Sequence, residues 1–380
     1  MIDPTDPDTG AIDGMTSIQT GHRYTVRSRF TTTGLTCSPQ VAEYVDRLAR
    51  PYLTLTPGPC DSGAWQVVAD AEPAAGAVPE AVTAQGEVTV HYAVDHPRTT
   101  LWHLSPRGEA WTAQSLLRAT RAIHRSAASR QGMLFLHAGL VRLDGLGIAL
   151  VGGSRAGKTS FIMASVLRGA GVMVCNDDVS LSAPPDGNGV LGAGWPRSIS
   201  VRLDTLDLLF GREGARTLLS SLTHPANRTL ASLRESGVEE HGTALIYPWE
   251  YADLLGTDIG RSAGVDAIVH LSLADAPAER GVAPVPPSER AALLERHVLG
   301  LPNKHLNIFG HEGDATDLRR TRDALTALPT FRFRYVFSDV TREVEHLAGH
   351  LREHLRDRLA GHVRDRITDR AAPAAPVSRR

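Results

Sequence analysis

The chain has 380 residues, 42% of them hydrophobic and 22% charged, with a formal net charge of −2. That length accommodates two or three domains around a large buried core, and the composition is that of an ordinary soluble globular protein. The near-neutral balance gives no electrostatic reason to expect a nucleic-acid or anionic-membrane partner, and apolar runs such as Ile148–Val151 or Ala267–Val269 are too short to span a bilayer.

The opening MIDPTDPDTGAIDG is acidic and polar, without the basic and apolar regions of a secretory signal, so a cytoplasmic protein is expected. Residues 1–20 and 369–380, the latter ending in AAPAAPVSRR, read as disordered. Between residues 21 and 104 the signals are mostly strand-like: RYTVRSRF, AWQVVA, EVTVHYAV and RTTLWHL, with one helix near PQVAEYVDRLARPYL. AEPAAGAVPEAVTAQG reads as a loop. This region is expected to be a small α+β N-terminal domain without visible catalytic chemistry. Cys37, Cys60 and Cys175 are odd in number and lack metal-like spacing, so they read as small core residues, with nothing requiring a Cys37–Cys60 pair.

A second domain is expected over residues 105–368. Its first helix, within SPRGEAWTAQSLLRATRAIHRSAASRQG, has Ser105 as a cap, Pro106 in the first turn and an apolar face of Trp111, Leu116, Leu117, Ala119 and Ile123. MLFLHAGLVRL comes next as a strand, then Asp144-Gly145 as a hairpin turn and LGIALVGG as a second, antiparallel strand. Beyond these lie a helix from Lys158 to Arg168, the strands VMVC, VSLSA and VLGAG, a helical stretch over 203–236, the buried strand AIVHLSL and a helix over 288–299. The last long helix, TREVEHLAGHLREHLRDRLAGHVRDRI, carries an apolar stripe from Val344 to Val363.

The chemistry concentrates after LGIALV. Gly152-Gly153-Ser154-Arg155-Ala156-Gly157-Lys158-Thr159 satisfies G-x4-G-K-[ST], with a strand before it and a helix after it. Glycines let successive backbone N–H groups point inward at phosphate oxygens, and the helix N-terminus adds its positive dipole end. The expected phosphate contacts run over Gly152, Gly153, Ser154, Arg155, Ala156, Gly157, Lys158, Thr159 and Ser160, with the Thr159 hydroxyl on Mg²⁺. Lys158 and Lys304 are the only lysines in a chain that otherwise uses arginine. A compact ammonium on a slim stem fits between phosphates where a planar guanidinium does not. Asp177 and Asp178 come directly after VMVC and Asn176; one carboxylate suits the metal and the other suits taking a proton from an attacking hydroxyl. His137 lies fifteen residues before Gly152, in the strand that the hairpin folds back beside the loop.

In this order of parts, LHAGLVRLDGLGIALVGGSRAGKTSF through LRGAGVMVCNDDVSL resembles the core of the HPr kinase/phosphorylase C-terminal family, whose fold is shared more distantly with ATP-dependent phosphoenolpyruvate carboxykinases. The close resemblance spans about residues 134–182 and matches at His137, Gly152–Thr159 and Asp177–Asp178; a looser pattern runs to about residue 340. It implies an α/β protein with a P-loop, mixed-sheet core, and an ATP- and Mg²⁺-dependent kinase that places the γ-phosphate on a serine-type hydroxyl. The acceptor is then a small protein, a peptide or a metabolite. By the same resemblance Asp177 acts as base, Asp178 helps hold the metal and His137 lies beside the phosphates. The family's Glu-Ile-Arg-Gly signature has its nearest stretch in GWPRSISVR, where Arg197 takes the arginine's place and Arg202 is the rival; Lys304, in LPNKHLN, is either a further phosphate contact or a surface residue. Partners expected are thus a nucleotide and a hydroxyl-bearing acceptor, with a homo-oligomer left open.

Three other features carry weaker signals. His346, His350 and His354 share a helix face but read as solvated polar residues, without the ligand pattern of a closed metal site. Trp195 and Trp249-Glu250-Tyr251 read as core packing in preference to a pocket wall. The reading from another class is a nucleotide-binding regulator or slow ATPase without a phospho-acceptor, which would need a residue to position water that the sequence does not offer.

Overall fold

The computed structural model describes residues 21–69, 71–82, 89–104, 108–186, 189–227, 242–300 and 315–355. Both expected disordered ends, Ser105 with Pro106, the segment 228–241 and Lys304 lie outside them. Over the described residues the fold is mixed α/β. No helix among them is long and apolar enough to cross a membrane.

The N-terminal part is built on one sheet. Strands β1 (His22–Arg27), β2 (Thr32–Cys37), β3 (Thr54–Pro57), β4 (Gln66–Val68), β5 (Val78–Val82), β6 (Val90–Asp95) and β7 (Thr100–His103) lie in the order β3-β1-β2-β4-β7-β6-β5. The sequence reading finds β1, β4, β6 and β7 but misses three. Strand β2 is diluted by threonines and a glycine, while β3 and β5 each contain a proline and form the two edges of the sheet. An edge strand tolerates proline because one side needs no ladder donors. The segment read as a loop therefore contains β5.

Two helices cover this sheet. Helix α1 (Pro39–Ala49) starts on Ser38, whose hydroxyl accepts from the Val41 N–H at 3.3 Å, and buries Val41, Ala42, Val45, Leu48 and Ala49. Helix α2 (Glu109–Arg130) starts on Gly108. Its Ala113, Leu116, Leu117, Ala119 and Ile123 pack into the same apolar cluster as α1 and the sheet. Near its C-terminal end Ala128 packs instead with Met133, Phe135 and Trp195, so the helix bridges the sheet to the rest of the chain.

That continuation begins with β8 (Leu134–Leu136), β9 (Ala138–Leu143) and β10 (Leu146–Val151). Asp144 and Gly145 both take positive φ, 50° and 89°, as an Asp-Gly hairpin turn requires, and β9 and β10 pair antiparallel from Leu143–Leu146 to Ala138–Val151. Helix α3 (Lys158–Leu167), β11 (Gly171–Cys175), β12 (Val179–Ser182), β13 (Leu191–Ala193), β14 (Ile199–Arg202), α4 (Leu203–Ser221), β15 (Thr243–Ile246), α5 (Pro248–Leu255), β16 (Ser262–Gly264), β17 (Ala267–Leu273), β18 (Gly281–Pro284), α6 (Pro287–Glu295), α7 (Ala315–Ala327), β19 (Thr330–Tyr335) and α8 (Val340–His354) complete the fold. A six-stranded sheet runs β11-β9-β10-β17-β19-β18, a four-stranded sheet runs β16-β13-β12-β8, and β14 pairs with β15. Strand β10 lies antiparallel to β9 on one side and parallel to β17 on the other. Helix α3 packs beneath the six-stranded sheet, with fully buried Phe161 edge-on to Phe333 and Tyr335.

Several expectations need correcting. MLFLHAGLVRL is not one strand: β8 belongs to the four-stranded sheet, β9 to the six-stranded sheet, and His137 is the residue at the break. The chain from β11 to β12 makes the same crossing at Asn176–Asp178. The helix expected from residue 203 ends at Ser221 and kinks at Gly211, where φ is 72° and ψ 159°. His346 and His354 are exposed, as the solvated reading expects, while His350 is partly buried, stacked on His354 at 3.9 Å and edge-on to Phe331. Cys37 and Cys175 are buried thiols, whereas Cys60 is only partly buried and does not belong to the core. Tyr251 is fully buried, and Glu250 fastens the start of α5 by accepting from the Tyr247 N–H at 2.9 Å, as the core reading expects.

Candidate functional site

The loop Gly152–Thr159 joins the end of β10 to the start of α3. Gly157 holds φ at 83°, and a Cβ there would run into the Tyr335 hydroxyl, so both conformation and space demand glycine. That hydroxyl donates to the carbonyls of Gly157, at 3.1 Å, and Ala156, at 3.4 Å, fixing the loop from the side of β19. Lys158 Nζ donates to the Gly152 carbonyl at 2.9 Å, closing the loop across its mouth. The first-turn N–H groups of α3 have no intrahelical acceptor, and Gly157 has no side chain with which to cap them. Arg155 sits at positive φ, 64°, on the exposed rim with Gly153 and Ser154. Ser160 turns its hydroxyl inward, 2.7 Å from that of Thr205.

The two sheet crossings bring the acids to the histidine. Because β9 pairs with β11 and β8 with β12, the residues at the breaks, His137 and Asn176–Asp178, come side by side. The His137 N–H donates to the His297 carbonyl at 2.8 Å, which pins the break. Its Nδ1 lies 2.7 Å from Oδ1 of Asp177 and 3.3 Å from Oδ1 of Asp178. Asp178 adopts φ 56°, outside strand geometry, which turns the backbone at the start of β12. Arg197 brings Nη1 to Oδ2 of both carboxylates, 3.3 Å from Asp177 and 3.1 Å from Asp178. Each carboxylate therefore has one oxygen toward the histidine and one toward the guanidinium.

These contacts set the charges. Hydrogen bonding to Asp177, and secondarily to Asp178, raises the His137 pKa, against the opposing effects of burial and the Lys158 charge. Burial would push the Asp177 carboxyl up, but His137 and Arg197 outweigh it and hold it below its ordinary range. For Arg197 burial is likewise overridden by the two carboxylates, which keep its guanidinium above its usual value. Oδ1 of Asp177 is itself buried, with the His137 ring as its close neighbour at 2.7 Å.

The residues singled out from the sequence gather into two groups, the loop with Lys158 and the cluster of His137, Asp177, Asp178 and Arg197. The pairing of Val151 with Ala138 brings them to one end of the β9–β10 hairpin, since Gly152 follows the first and His137 precedes the second. Arg202 stays outside, engaged with Asp204 at 2.8 Å. His137, Asp177 and Asp178 present ligand atoms all within 4.8 Å of one another. The sequence reading missed the arginines of α2. Arg121 donates to the Pro196 carbonyl at 2.8 Å, and Arg125 lies 4.7 Å over the Phe135 ring. Their spacing with Arg118 was the available signal, hidden because only the apolar side of that helix was read. Trp195 is buried here as well, donating to the Ser180 hydroxyl at 3.1 Å.

No protein-family profile matches the chain, and no curated protein matches it. Among solved structures, it is similar to the Hpr(Ser) kinase/phosphatase from Coxiella burnetii, at 12% identity and a TM-score of 0.29, over 58% of this chain and 98% of that one. So low a score carries no argument about activity.

Proposed function

We propose that the chain is an ATP- and Mg²⁺-dependent phosphotransferase that places a γ-phosphate on an alcohol. The observation that carries this reading is that β10 and β9 pair Val151 with Ala138, so the lysine-bearing glycine loop leaves the sheet at the same end as His137, which lies 2.7 Å from Asp177 of the largely buried acid pair. In this reading the loop amides and the Lys158 ammonium hold the β- and γ-phosphates and stabilise charge on the transferring group. Asp177, kept ionised by its neighbours, accepts the acceptor's hydroxyl proton. Arg197 and His137 orient the two carboxylates through opposite oxygens.

A divalent cation fits the donor set. Asp177 and Asp178 offer the hard carboxylate oxygens that Mg²⁺ favours, in a cluster whose ligand atoms lie within 4.8 Å of one another, and the Thr159 hydroxyl stands in the first turn of α3. Thr159 and Asp178 would hold the ion, which supplies neutralisation of phosphate charge when bound. His137, whose Nδ1 is committed to the carboxylates, holds the acids and not the ion.

Two substitutions test the reading. Lys158→Ala should abolish binding of MgATP measured by calorimetry, and unchanged binding would remove the loop from the mechanism. Asp177→Asn should keep MgATP bound yet stop label from γ-labelled ATP reaching any acceptor; full transfer would assign the base elsewhere. Label that appears only as free phosphate, with every peptide, protein and metabolite offered, would overturn transfer in favour of slow hydrolysis.

A further inference from the structure

Strand pairing sets one row of residues across the six-stranded sheet. Ala138 of β9 pairs with Val151 of β10, Val151 with His270 of β17, His270 with Arg332 of β19, and Arg332 with Ala283 of β18. Paired residues point to the same face of a sheet, and neighbouring strands lie about 4.8 Å apart. The row therefore orders the site. His137 and the acid pair stand at its β9 end, and the glycine loop leaves after Val151. Strands β17, β19 and β18 continue the same face on the far side of the loop.

That far side holds a groove of 470 Å³, within the range of about 300–1,000 Å³ usual for small-molecule sites. His270, Ser272, Ala283, Arg332, Arg334 and Glu279 line it, over a floor that includes Leu271 and Val282. It adjoins the loop directly. A Cβ on Gly152 would stand 2.8 Å from the Leu271 carbonyl oxygen, and one on Gly157 would stand 3.6 Å from Cδ2 of Leu273. His297 ties the groove to the acids as well: its carbonyl accepts from the His137 N–H at 2.8 Å, and its ring lies 5.5 Å from that of His270.

The charges of this groove are matched. Arg332 meets Glu289 at 2.6 Å and Arg334 meets Glu279 at 2.6 Å. Burial, then the neighbouring His297 and arginines, lowers the His270 pKa to about 4, so its ring is neutral near pH 7. A groove of paired charges and neutral groups has little to offer a further phosphate. It does offer flat guanidinium and imidazole faces, an apolar floor, and oxygen acceptors on Ser272 and Glu279. Those features suit a flat, uncharged heteroaromatic group that carries hydroxyls.

We propose that the groove over β17, β19 and β18 is the seat of the donor's nucleoside, a site that rests on the phosphotransfer reading above. The γ-phosphate has to reach the acids, on the β9 side of the loop. The triphosphate then crosses the loop amides, and its other end emerges toward β17, where the groove begins. The base lies against Arg332, Arg334 and His270, and the ribose hydroxyls meet Ser272 and Glu279.

The test titrates the full chain by calorimetry with MgATP and with magnesium tripolyphosphate, which has the phosphates without the nucleoside. Stacking of the base should make MgATP bind about tenfold or more tightly than tripolyphosphate. Ala283 is exposed on the edge strand β18, so Ala283→Trp fills the groove from its rim. This variant should lower MgATP affinity to that of tripolyphosphate and leave tripolyphosphate unmoved. Arg332→Ser with Arg334→Ser removes two exposed stacking faces, should act the same way, and serves if the tryptophan variant does not fold. Equal affinity for the two probes in the wild type, or a MgATP preference that survives the substitutions, would overturn the seat. Tripolyphosphate judges the other reading separately. If it binds while the MgATP preference ignores the groove, only the seat falls; if neither probe binds, phosphotransfer falls with it.

Discussion

Arg197→Met removes a guanidinium that touches both carboxylates and leaves an unbranched, uncharged side chain. Its Nη1 makes both contacts, at 3.3 and 3.1 Å, so they count as one shared charge-assisted interaction. Breaking a fully buried ion pair by deleting one partner costs about 3–5 kcal/mol. The Arg197 side chain is 32% exposed, which lets water replace part of what is lost, so the expected destabilisation is about 2 kcal/mol near neutral pH. The sign of its pH dependence comes from Asp177, whose folded pKa is held below its unfolded one. Such a group stabilises the fold above the unfolded carboxylate value, about 3.9, and loses that contribution as pH falls through the folded pKa. Without Arg197 the Asp177 pKa rises. The gap between wild type and variant is therefore full at neutral pH, narrows as pH falls through the variant's raised pKa and closes below the wild-type value. Urea denaturation monitored by intrinsic fluorescence across this range, without added divalent ions, measures it. A difference under about 0.5 kcal/mol near neutral pH, or one that does not change with pH, would show that Arg197 is not what holds the acids.

Asp177→Asn should lower the His137 pKa, because hydrogen bonding to Asp177 is the largest influence raising it; an unmoved imidazole resonance titration would contradict that pairing. Gly157→Ala should destabilise the chain by about 2 kcal/mol or more, from left-handed φ plus collision with the Tyr335 hydroxyl, and should weaken MgATP binding; a neutral result by denaturation and calorimetry would mean that the loop is not in this conformation. Tyr335→Phe removes a donor to two loop carbonyls and should cost about 1 kcal/mol while raising the dissociation constant for MgATP; an unchanged constant would leave the hydroxyl a purely structural role.

The phosphate-loop motif, its flanking strand and helix, and the Asp144-Gly145 hairpin were all legible because each depends on residues within one or two turns of chain. A glycine at positive φ, an Asp-Gly turn and a rare lysine among arginines declare themselves locally. The edge strands β3 and β5 were not legible, because their prolines and broken alternation signal loops unless a neighbouring strand is known to lie on one side only. The helical spacing of Arg118, Arg121 and Arg125 was visible in the letters, but nothing in the letters said that this side of α2 is buried.

From its own residues the chain determined which groups are suited to phosphate, metal and proton: the loop amides, Lys158, Thr159 and the two aspartates. Only the tertiary structure decided that His137 and Asp177–Asp178 occupy matching breaks between two sheets, that Arg197 and not Arg202 reaches them, and that Arg121 of α2 holds the carbonyl of Pro196 beside Arg197. The reason is physical. Backbone chemistry and turn geometry act over a few residues, whereas the fields and contacts that order charged side chains act through space, between segments that the sequence holds twenty to eighty positions apart.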